Sequence, residues 1–284
     1  MLFFTSAVKS ESKGYLEYDI EFNENNTPIV HLLINGELIP LIIDTGALGM
    51  GLSLDSEIIS KFPELIEVGV DRYIDLTGKT TDVKQYKLKS LNLGGLEFKN
   101  LVINEYYKWG LYSDNNNQYS SSYKIMGVIG VQLLKQYPII LDYVNNKLFI
   151  LISADVVPNE LYNRKNWRKV RFGVNSNGIE ISAIFGSNNF GRLDLDTAST
   201  ISIIKPSLVP QSEINYDCAL KFPGEDKCRY YVAKDFKLDN ISFGLQSFIL
   251  YSFNEPSSSG ILGADFLHEK IIFLDFYKKF MLIK

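Results

Sequence analysis

Two aspartates in this 284-residue chain stand in similar surroundings and are the residues best placed to do chemistry. Residues 41–46 read Leu-Ile-Ile-Asp-Thr-Gly, and residues 193–198 read Leu-Asp-Leu-Asp-Thr-Ala. Asp44 and Asp196 therefore each stand where an apolar strand meets a turn of small residues, a position that is costly for a charge unless it is paired. If the two turns meet, the carboxyls share one proton, and they can act as general acid and general base on a bound water.

The composition excludes several other chemistries. The chain has only two histidines and two cysteines, which rules out most zinc sites built from those ligands and argues against a Cys/His nucleophile. A formal net charge of −4 argues against binding to nucleic acid or to anionic membranes. No apolar run reaches transmembrane length, so we expect a soluble protein without a membrane span. An aspartate pair requires no metal and no cofactor.

The aspartates belong to an internal repeat that predicts two related lobes. Residues 127–130 (Gly-Val-Ile-Gly) are followed twelve residues later by Asp142 and Tyr143, and residues 260–263 (Gly-Ile-Leu-Gly) are followed at the same distance by Asp275 and Phe276. We predict an N-terminal lobe at residues 1–157 and a C-terminal lobe at residues 158–284, with the site in the cleft between them. Asp142 and Asp275 are interpreted as structural residues near strand ends.

Strand patterns dominate the chain, so the predicted fold class is mostly β with few short helices. Alternating segments at residues 15–22, 28–33 and 38–44 predict strands, and Asn35-Gly36 predicts a two-residue hairpin turn between the last two. Short helices are predicted at residues 55–62, 131–136 and 264–269. Residues 112–123 are polar and low in complexity, which is typical of a surface insertion.

These motifs resemble those of the pepsin–retropepsin superfamily of aspartic proteases. Asp44-Thr45-Gly46 and Asp196-Thr197-Ala198 match the Asp-Thr/Ser-Gly motif, and Gly130 and Gly263 match the hydrophobic-hydrophobic-Gly motif. The resemblance extends from about Tyr15 to Lys284. It implies a bilobal acid-protease fold, in which two β-barrel-like lobes are related by a pseudo-twofold axis.

Further site residues follow from that resemblance. Thr45 and Thr197 are expected to hydrogen-bond across the lobe boundary, with Gly46, Ala198 and Ser199 completing the active-site loops. A flap is expected to close over the substrate. It would carry Tyr73 on its incoming strand and have its tip near Thr77, Gly78 and Lys79.

Three departures from the family pattern bear on activity. Ala198 replaces the usual glycine, and its methyl group would be strained if the backbone φ were positive. Asp194 lies two residues before Asp196, where the first motif has Ile42, so it shares a strand face with Asp196. A third carboxylate there would raise the pKa values of the pair or spoil the site, or it could instead be paired with a cation such as Arg192. Ser199 follows the second motif where Ala47 follows the first. Because a serine hydroxyl can donate to its aspartate, we predict that Asp196 is the ionised partner.

The predicted function is that of an aspartic endopeptidase that binds peptide or protein substrates in an extended conformation. The alternative is a catalytically weak or inactive peptide-binding or inhibitor protein of the same fold, which Ala198 and Asp194 favour. A structural β-protein with a purely architectural repeat is a third reading. Since one chain supplies both aspartates, we expect a monomer.

The cysteines and the start of the chain bear on its location. Cys218 and Cys228 flank a Pro-Gly turn, so they could form a disulfide across a hairpin, or they could be two buried thiols. A disulfide would indicate a secreted or periplasmic protein. Only about fourteen residues precede the first predicted strand, fewer than a typical inhibitory propeptide has, so we expect activity without processing.

Overall fold

The computed structural model describes residues 14–284 except 24–25, 48, 50, 75–77, 108–123, 176–177, 187–188, 217, 219–226 and 254–257. Strands dominate the described residues and the α-helices among them are short, which confirms the prediction of a mostly-β chain. The predicted insertion at residues 112–123 and the predicted flap residue Thr77 lie outside the described residues.

The N-terminal half of the chain runs through ten strands and two helices of the described part. They are β1 (Tyr15–Phe22), β2 (Pro28–Ile34), β3 (Glu37–Asp44), β4 (Leu52–Leu54), α1 (Ser56–Ile59), β5 (Leu65–Ile74), β6 (Thr80–Leu93), β7 (Leu96–Glu105), β8 (Gly127–Gly130), α2 (Val131–Leu134), β9 (Ile139–Asp142) and β10 (Lys147–Leu151).

The C-terminal half follows after two 3₁₀ turns, Glu160–Tyr162 and Arg164–Asn166. Its elements are β11 (Arg168–Arg171), β12 (Gly173–Asn175), β13 (Gly178–Phe185), β14 (Phe190–Leu195), β15 (Ile203–Ile204), β16 (Tyr230–Leu238), β17 (Ile241–Leu250), β18 (Gly260–Leu262), α3 (Ala264–Leu267), β19 (Ile271–Asp275) and β20 (Phe280–Ile283). Two further 3₁₀ turns, Pro206–Leu208 and Gln211–Glu213, follow β15.

Local sequence signals explain several of these boundaries. Asn35 and Gly36 have φ of 50° and 86° between β2 and β3, the left-handed backbone that a two-residue type I′ turn requires. Helix α1 begins one residue later and ends three residues earlier than the helix predicted at residues 55–62. The Asp55 side chain accepts a hydrogen bond from the Glu57 N–H at 3.0 Å, which caps the helix.

The two halves repeat the same strand pairings around the predicted landmarks. Strand β3 runs parallel to β8 with Ile43 opposite Ile129, and β14 runs parallel to β18 with Leu195 opposite Leu262. On the other side, β4 pairs antiparallel with β8 and β15 with β18. Each aspartate motif is therefore backed by the hydrophobic-hydrophobic-Gly strand of its own half.

Two glycines explain why these strands fit so closely. A side-chain carbon on Gly127 would lie 2.1 Å from the carbonyl oxygen of Ser53, and one on Gly260 would lie 2.2 Å from the carbonyl oxygen of Ile203. Only hydrogen fits at either position. The glycine that opens each hydrophobic-hydrophobic-Gly strand is thus required by the backbone of the strand beside it.

The halves differ in how their sheets close. In the C-terminal half, β13, β14, β18, β15, β17 and β16 follow one another, and β13 also pairs with β16, which closes a six-stranded barrel. In the N-terminal half, the order is β2, β3, β8, β4, β7, β6 and then β5, which lies at the edge of the sheet.

One continuous sheet joins the two halves. Strand β9 pairs antiparallel with β19, so that β10 and β1 lie on one side of this pair and β20 and β11 on the other. Ile139 lies opposite Leu274, and Leu141 lies opposite Ile272. All four side chains are buried in the main hydrophobic core, which extends through both halves.

Candidate active site

The two predicted turns lie against each other through their threonines. The Thr45 hydroxyl donates to the carbonyl oxygen of Leu195 at 2.7 Å and accepts from the Thr197 N–H at 3.1 Å. The Thr197 hydroxyl donates to the carbonyl oxygen of Ile43 at 2.6 Å and accepts from the Thr45 N–H at 3.1 Å. Both threonines are fully buried. Four reciprocal bonds without solvent competition fix the two turns relative to each other.

This threonine pairing brings the two aspartates together. Asp44 ends β3 and is 7% exposed, and Asp196 follows β14 and is half-buried. Their side chains share a hydrogen bond. The Gly46 N–H donates to Asp44 Oδ1 at 2.8 Å, and the Ala47 N–H also bonds to this carboxyl. Asp196 Oδ1 accepts from the Ala198 and Ser199 N–H groups, both at 2.9 Å.

The two carboxyls differ in acidity. Burial and the nearby charge of Asp196 raise the pKa of Asp44 well above the ordinary aspartate value. Burial also raises the pKa of Asp196. Backbone hydrogen bonds oppose the rise at both carboxyls, but the hydrogen bond between the two side chains lowers the pKa of Asp196 and raises that of Asp44. The pair therefore favours a proton on Asp44 and a negative charge on Asp196.

The charge thus falls on the aspartate that the sequence favoured, although the reason given there is wrong. The Ser199 hydroxyl donates to the carbonyl oxygen of Ile201 at 2.9 Å, not to Asp196. The backbone N–H of Ser199 makes the stabilising bond instead. Because any residue except proline supplies that N–H, the identity of residue 199 does not explain the difference between the aspartates.

Gly46 and Ala198 occupy matching places with different amounts of space. A side-chain carbon on Gly46 would lie 2.5 Å from Asp196 Cγ, so no larger residue fits there without movement. Ala198 carries such a carbon and does not have a positive φ. The backbone strain anticipated for Ala198 is therefore absent. The two turns also differ in the space beside their carboxyls.

Asp194 lies on the wall of the site without entering the aspartate pair. The groups that shift the pKa of Asp196 are its own turn and Asp44, and Asp194 is not among them. Asp194 is half-buried on β14, opposite Glu180 of β13 and Ile261 of β18. The concern that a third carboxylate disturbs the pair receives no support from these interactions.

Tyr73 lies on the hairpin formed by β5 and β6 and packs over the first turn. It belongs to an apolar cluster with Ala47 and Val128, beside Ile42. Its hydroxyl is hydrogen-bonded to Asn104 and to Asp71. Gly78 and Lys79 are the described residues of the predicted flap tip. Gly78 has a φ of 84°, and among the described residues no atom beyond its two chain neighbours lies within 4 Å of its side-chain position.

The corresponding hairpin region of the C-terminal half is tied differently. Cys218 and Cys228 form a disulfide, which decides between the two alternatives that the sequence left open. Asn215 and Tyr230 form a two-residue bridge next to it, with both backbone hydrogen bonds at 2.9 Å. This segment is therefore closed by a covalent bond, while the β5–β6 hairpin is held by its antiparallel backbone pairing and by side-chain hydrogen bonds.

Some residues of the site were missed at the sequence level. Asn104, on β7, is buried and links Tyr73 to Asp71, and Gln85 bonds to both Asp71 and Asn104. Tyr143 is buried near Asp196. Burial and then the charge of Asp196 raise the pKa of the Tyr143 hydroxyl. The sequence signal that could have pointed to Tyr143 is its position in the repeat, where the other half has Phe276.

Asp142 and Asp275 have the structural role that the sequence indicated. Asp142 ends β9 and accepts from the N–H groups of Val144 and Asn145 at 2.9 and 2.8 Å and from the Tyr162 hydroxyl at 2.8 Å. Asp275 ends β19 and accepts from the Lys278 N–H at 2.8 Å. Both carboxylates therefore stabilise the tight turns that follow their strands.

Comparisons with known proteins bear on the fold. No protein-family model and no curated protein sequence matches the chain. The structure is similar to the crystal structure of basic 7S globulin from soybean, with a TM-score of 0.60 and 10% sequence identity. The match covers 96% of this chain and 95% of the globulin chain. At this identity, the similarity shows a shared fold over the whole chain.

Two further findings concern the described residues alone. None of their helices has both the length and the apolar character needed to cross a membrane. They also hold no group of three or more His, Cys, Asp or Glu side chains arranged to bind a metal ion.

Proposed function

We propose that this chain is an aspartic endopeptidase of the pepsin–retropepsin type, with Asp44 and Asp196 as its catalytic residues. The observation that carries the proposal is the set of four reciprocal threonine hydrogen bonds, which holds two buried carboxyls in contact. Holding two acidic groups in contact costs stability, and a catalytic pair that must share a proton gives a reason for that cost.

The proposed reaction uses the difference between the two carboxyls. Asp196, as carboxylate, takes a proton from a water bound between the pair, and the water oxygen attacks the carbonyl carbon of the peptide. Asp44, as acid, gives its proton to the carbonyl oxygen. The tetrahedral intermediate then collapses as Asp196 gives its proton to the peptide nitrogen, Asp44 takes a proton back from a hydroxyl of the intermediate, and the C–N bond breaks, which leaves a carboxyl and an amine.

The proposed architecture is two lobes, residues 1–157 and 158–284, related by a pseudo-twofold axis. Support comes from the strand registers, since β3–β8 and β14–β18 repeat each other. The β9–β19 register gives the same support. Ile139 pairs with Leu274 and Leu141 pairs with Ile272, and the repeat makes Ile139 equivalent to Ile272 and Leu141 equivalent to Leu274. The substrate would lie extended between the lobes, with the β5–β6 hairpin as the flap over it.

The test is cleavage of a peptide library between pH 3 and 8 by the wild-type chain, Asp44→Asn and Asp196→Asn. We expect each substitution to reduce kcat at least about a thousandfold, because each removes one half of the proton transfer. Asp142→Asn is the matched control, because it changes a buried aspartate with a structural role. Cleavage that survives in either active-site variant would overturn the proposal.

The pH profile should be bell-shaped. Activity requires one proton on the pair, so it falls at low pH when both carboxyls are protonated and at high pH when both are ionised. Since the pKa of Asp44 is raised well above its ordinary value, the alkaline limb should extend toward neutral pH.

A second candidate is a peptide-binding protein that keeps the fold without the catalysis. The structural comparison favours it, because the similar protein is named as a globulin and its name carries no enzymatic activity. Ala198, in place of the usual glycine, favours it as well. Peptides that bind to the wild-type chain and emerge uncut at every pH would identify this function.

The proposed setting is an oxidising compartment, such as the periplasm or the extracellular space. Support comes from the Cys218–Cys228 disulfide, since such bonds persist mainly outside reducing cytosol. We further propose that the chain acts as a monomer, because both aspartates belong to one chain. Sedimentation of the active protein would test this, and activity found only in a dimer would contradict it.

A further inference from the structure

The site has two walls with different residues at matching positions. The first wall is the face of β3 that carries Ile42 and Asp44, and the second wall is the face of β14 that carries Asp194 and Asp196. Strand alternation places Ile42 on the same face of β3 as Asp44, because Leu41 and Ile43 are fully buried on the opposite face. The side chain of Ile42 packs in the apolar cluster of Ala47, Val128 and Tyr73. The position two residues before the aspartate therefore contributes to the lining beside the first turn.

The same geometry places a charge in the second wall. Leu193 and Leu195 are buried in the core, so Asp194 and Asp196 share the opposite face of β14. The β14–β18 register puts Ile261 beside Asp194, as the β3–β8 register puts Val128 beside Ile42. Asp194 is thus the counterpart of Ile42 in both strand register and direction.

The neighbouring positions keep this contrast. Opposite Asp194 lies Glu180, which forms an ion pair with Arg192 at 3.5 Å. These three side chains carry a combined formal charge of −1. Their counterparts in the first half are Ile29, Pro40 and Ile42, which are uncharged. The three positions at Ile42 are therefore uncharged, and the three at Asp194 carry a net negative charge next to Asp196.

We propose that Asp194 makes the second wall select a lysine or arginine side chain on one side of the scissile bond, while the first wall accepts an apolar side chain on the other. This inference rests on the proposed function, because it assigns the substrate class of that same site. A basic side chain long enough to reach Asp194 would place its aliphatic part along Ile261 and its charge at the carboxylate.

The test compares fluorogenic octapeptides that differ at one central position. The central pair is Phe-Lys or Phe-norleucine in one set and Lys-Phe or norleucine-Phe in the other, because norleucine keeps the chain length of lysine without its charge. In one of the two sets we expect the wild-type chain to favour lysine by about tenfold in kcat/KM. The preference should weaken as salt is raised.

Two variants assign the preference to Asp194. Asp194→Ile, which copies the residue of the first wall, and Asp194→Asn, which preserves shape, should both reduce the lysine-to-norleucine ratio toward one. Asp155→Asn removes an equal charge from an exposed position outside the site and should leave the ratio as in the wild type. Circular dichroism of each variant shows whether it is folded.

Binding of the same peptides to Asp44→Asn, measured by fluorescence polarisation, separates this inference from the proposed function. Cleavage without a lysine preference, or a preference that survives Asp194→Asn, overturns the inference and leaves the protease proposal intact. Lysine-selective binding without cleavage by the wild type overturns the protease proposal and supports the acidic wall. If the wild type neither binds nor cleaves any of the peptides, both are overturned.

Discussion

The turn at Asp44 and the turn at Asp196 have the same threonine bonds and different carboxyl surroundings. Thr45 and Thr197 each donate one hydrogen bond and accept another across the boundary, in the same pattern. The carboxyls differ, because Asp44 is more buried than Asp196 and because Gly46 lies against Asp196, whereas the matching residue of the other turn is Ala198. The comparison teaches that a symmetric scaffold can hold an asymmetric acid pair, in which the interaction between the two carboxyls raises the pKa of Asp44 and opposes the rise in the pKa of Asp196.

The strongest test of that asymmetry exchanges the small residues. Gly46→Ala should reduce kcat/KM about a hundredfold or more and the free energy of unfolding by about 2 kcal/mol, because the new methyl would lie 2.5 Å from Asp196 Cγ. Ala198→Gly should change the free energy of unfolding by less than about 1 kcal/mol. Kinetics and urea unfolding measure both effects. Equal responses to the two substitutions would mean that the turns are equivalent.

The symmetry of the scaffold is tested by removing each threonine hydroxyl. Thr45→Ala and Thr197→Ala should each reduce the free energy of unfolding by about 3 kcal/mol, since each leaves a buried carbonyl and a buried N–H without partners. Thr→Ser variants keep the hydroxyl and serve as controls in urea unfolding. A loss of stability in only one of the two alanine variants would break the comparison.

The two hairpin regions differ in their sensitivity to reductant. Replacing Cys218 and Cys228 with serine should reduce the free energy of unfolding by about 2–3 kcal/mol. The disulfide joins residues ten positions apart, and this loop restricts the conformational entropy of the unfolded chain. The wild-type chain in reductant should show the same loss in urea unfolding. The N-terminal half has no cysteine to respond. An unfolding midpoint that is insensitive to reductant would contradict this expectation.

The smallest expected effect concerns stability against pH. Because the pKa of Asp44 is raised in the folded state, the folded chain binds a proton more tightly than the unfolded chain does. The contribution of Asp44 to stability is therefore complete below the unfolded pKa and is lost as pH rises through the folded pKa. Asp44→Asn should thus raise the free energy of unfolding at pH 7 by on the order of 1 kcal/mol, and by less at pH 3.

Asp196→Asn provides the comparison for that effect. Its backbone hydrogen bonds oppose the rise in the pKa of Asp196, so the gain at pH 7 should be smaller than for Asp44→Asn. Thermal unfolding of both variants at the two pH values measures the difference. A larger gain for Asp196→Asn would place the proton on the opposite aspartate.

The sequence was sufficient for the first three strands and for the pair of turns. Alternation predicted β1 at its observed bounds, and Asn35-Gly36 predicted its hairpin, because these are local effects. The repeat then located Asp44 and Asp196, since the same packing demands recur in both halves. Gly127 and Gly260 show this best, as each must accommodate the carbonyl of a neighbouring strand.

The remaining features depend on contacts that local patterns do not encode. The bonds that Asn104 makes to Tyr73 and Asp71 join residues far apart in the chain. The direction of the Ser199 hydroxyl depended on the competing carbonyl of Ile201, which sequence reasoning had not considered. The pairing of β13 with β16, which closes only the C-terminal sheet, is likewise a non-local outcome.

The pairing of β9 with β19 has a consequence for the order of events during synthesis. Asp44 leaves the ribosome early, whereas β19 follows Asp196 in the chain and must form before the halves share a sheet. Such long-range pairing is slow to form. The nascent chain therefore carries an incomplete acid pair for most of its translation, and the proposed activity would begin only after the second half has been made.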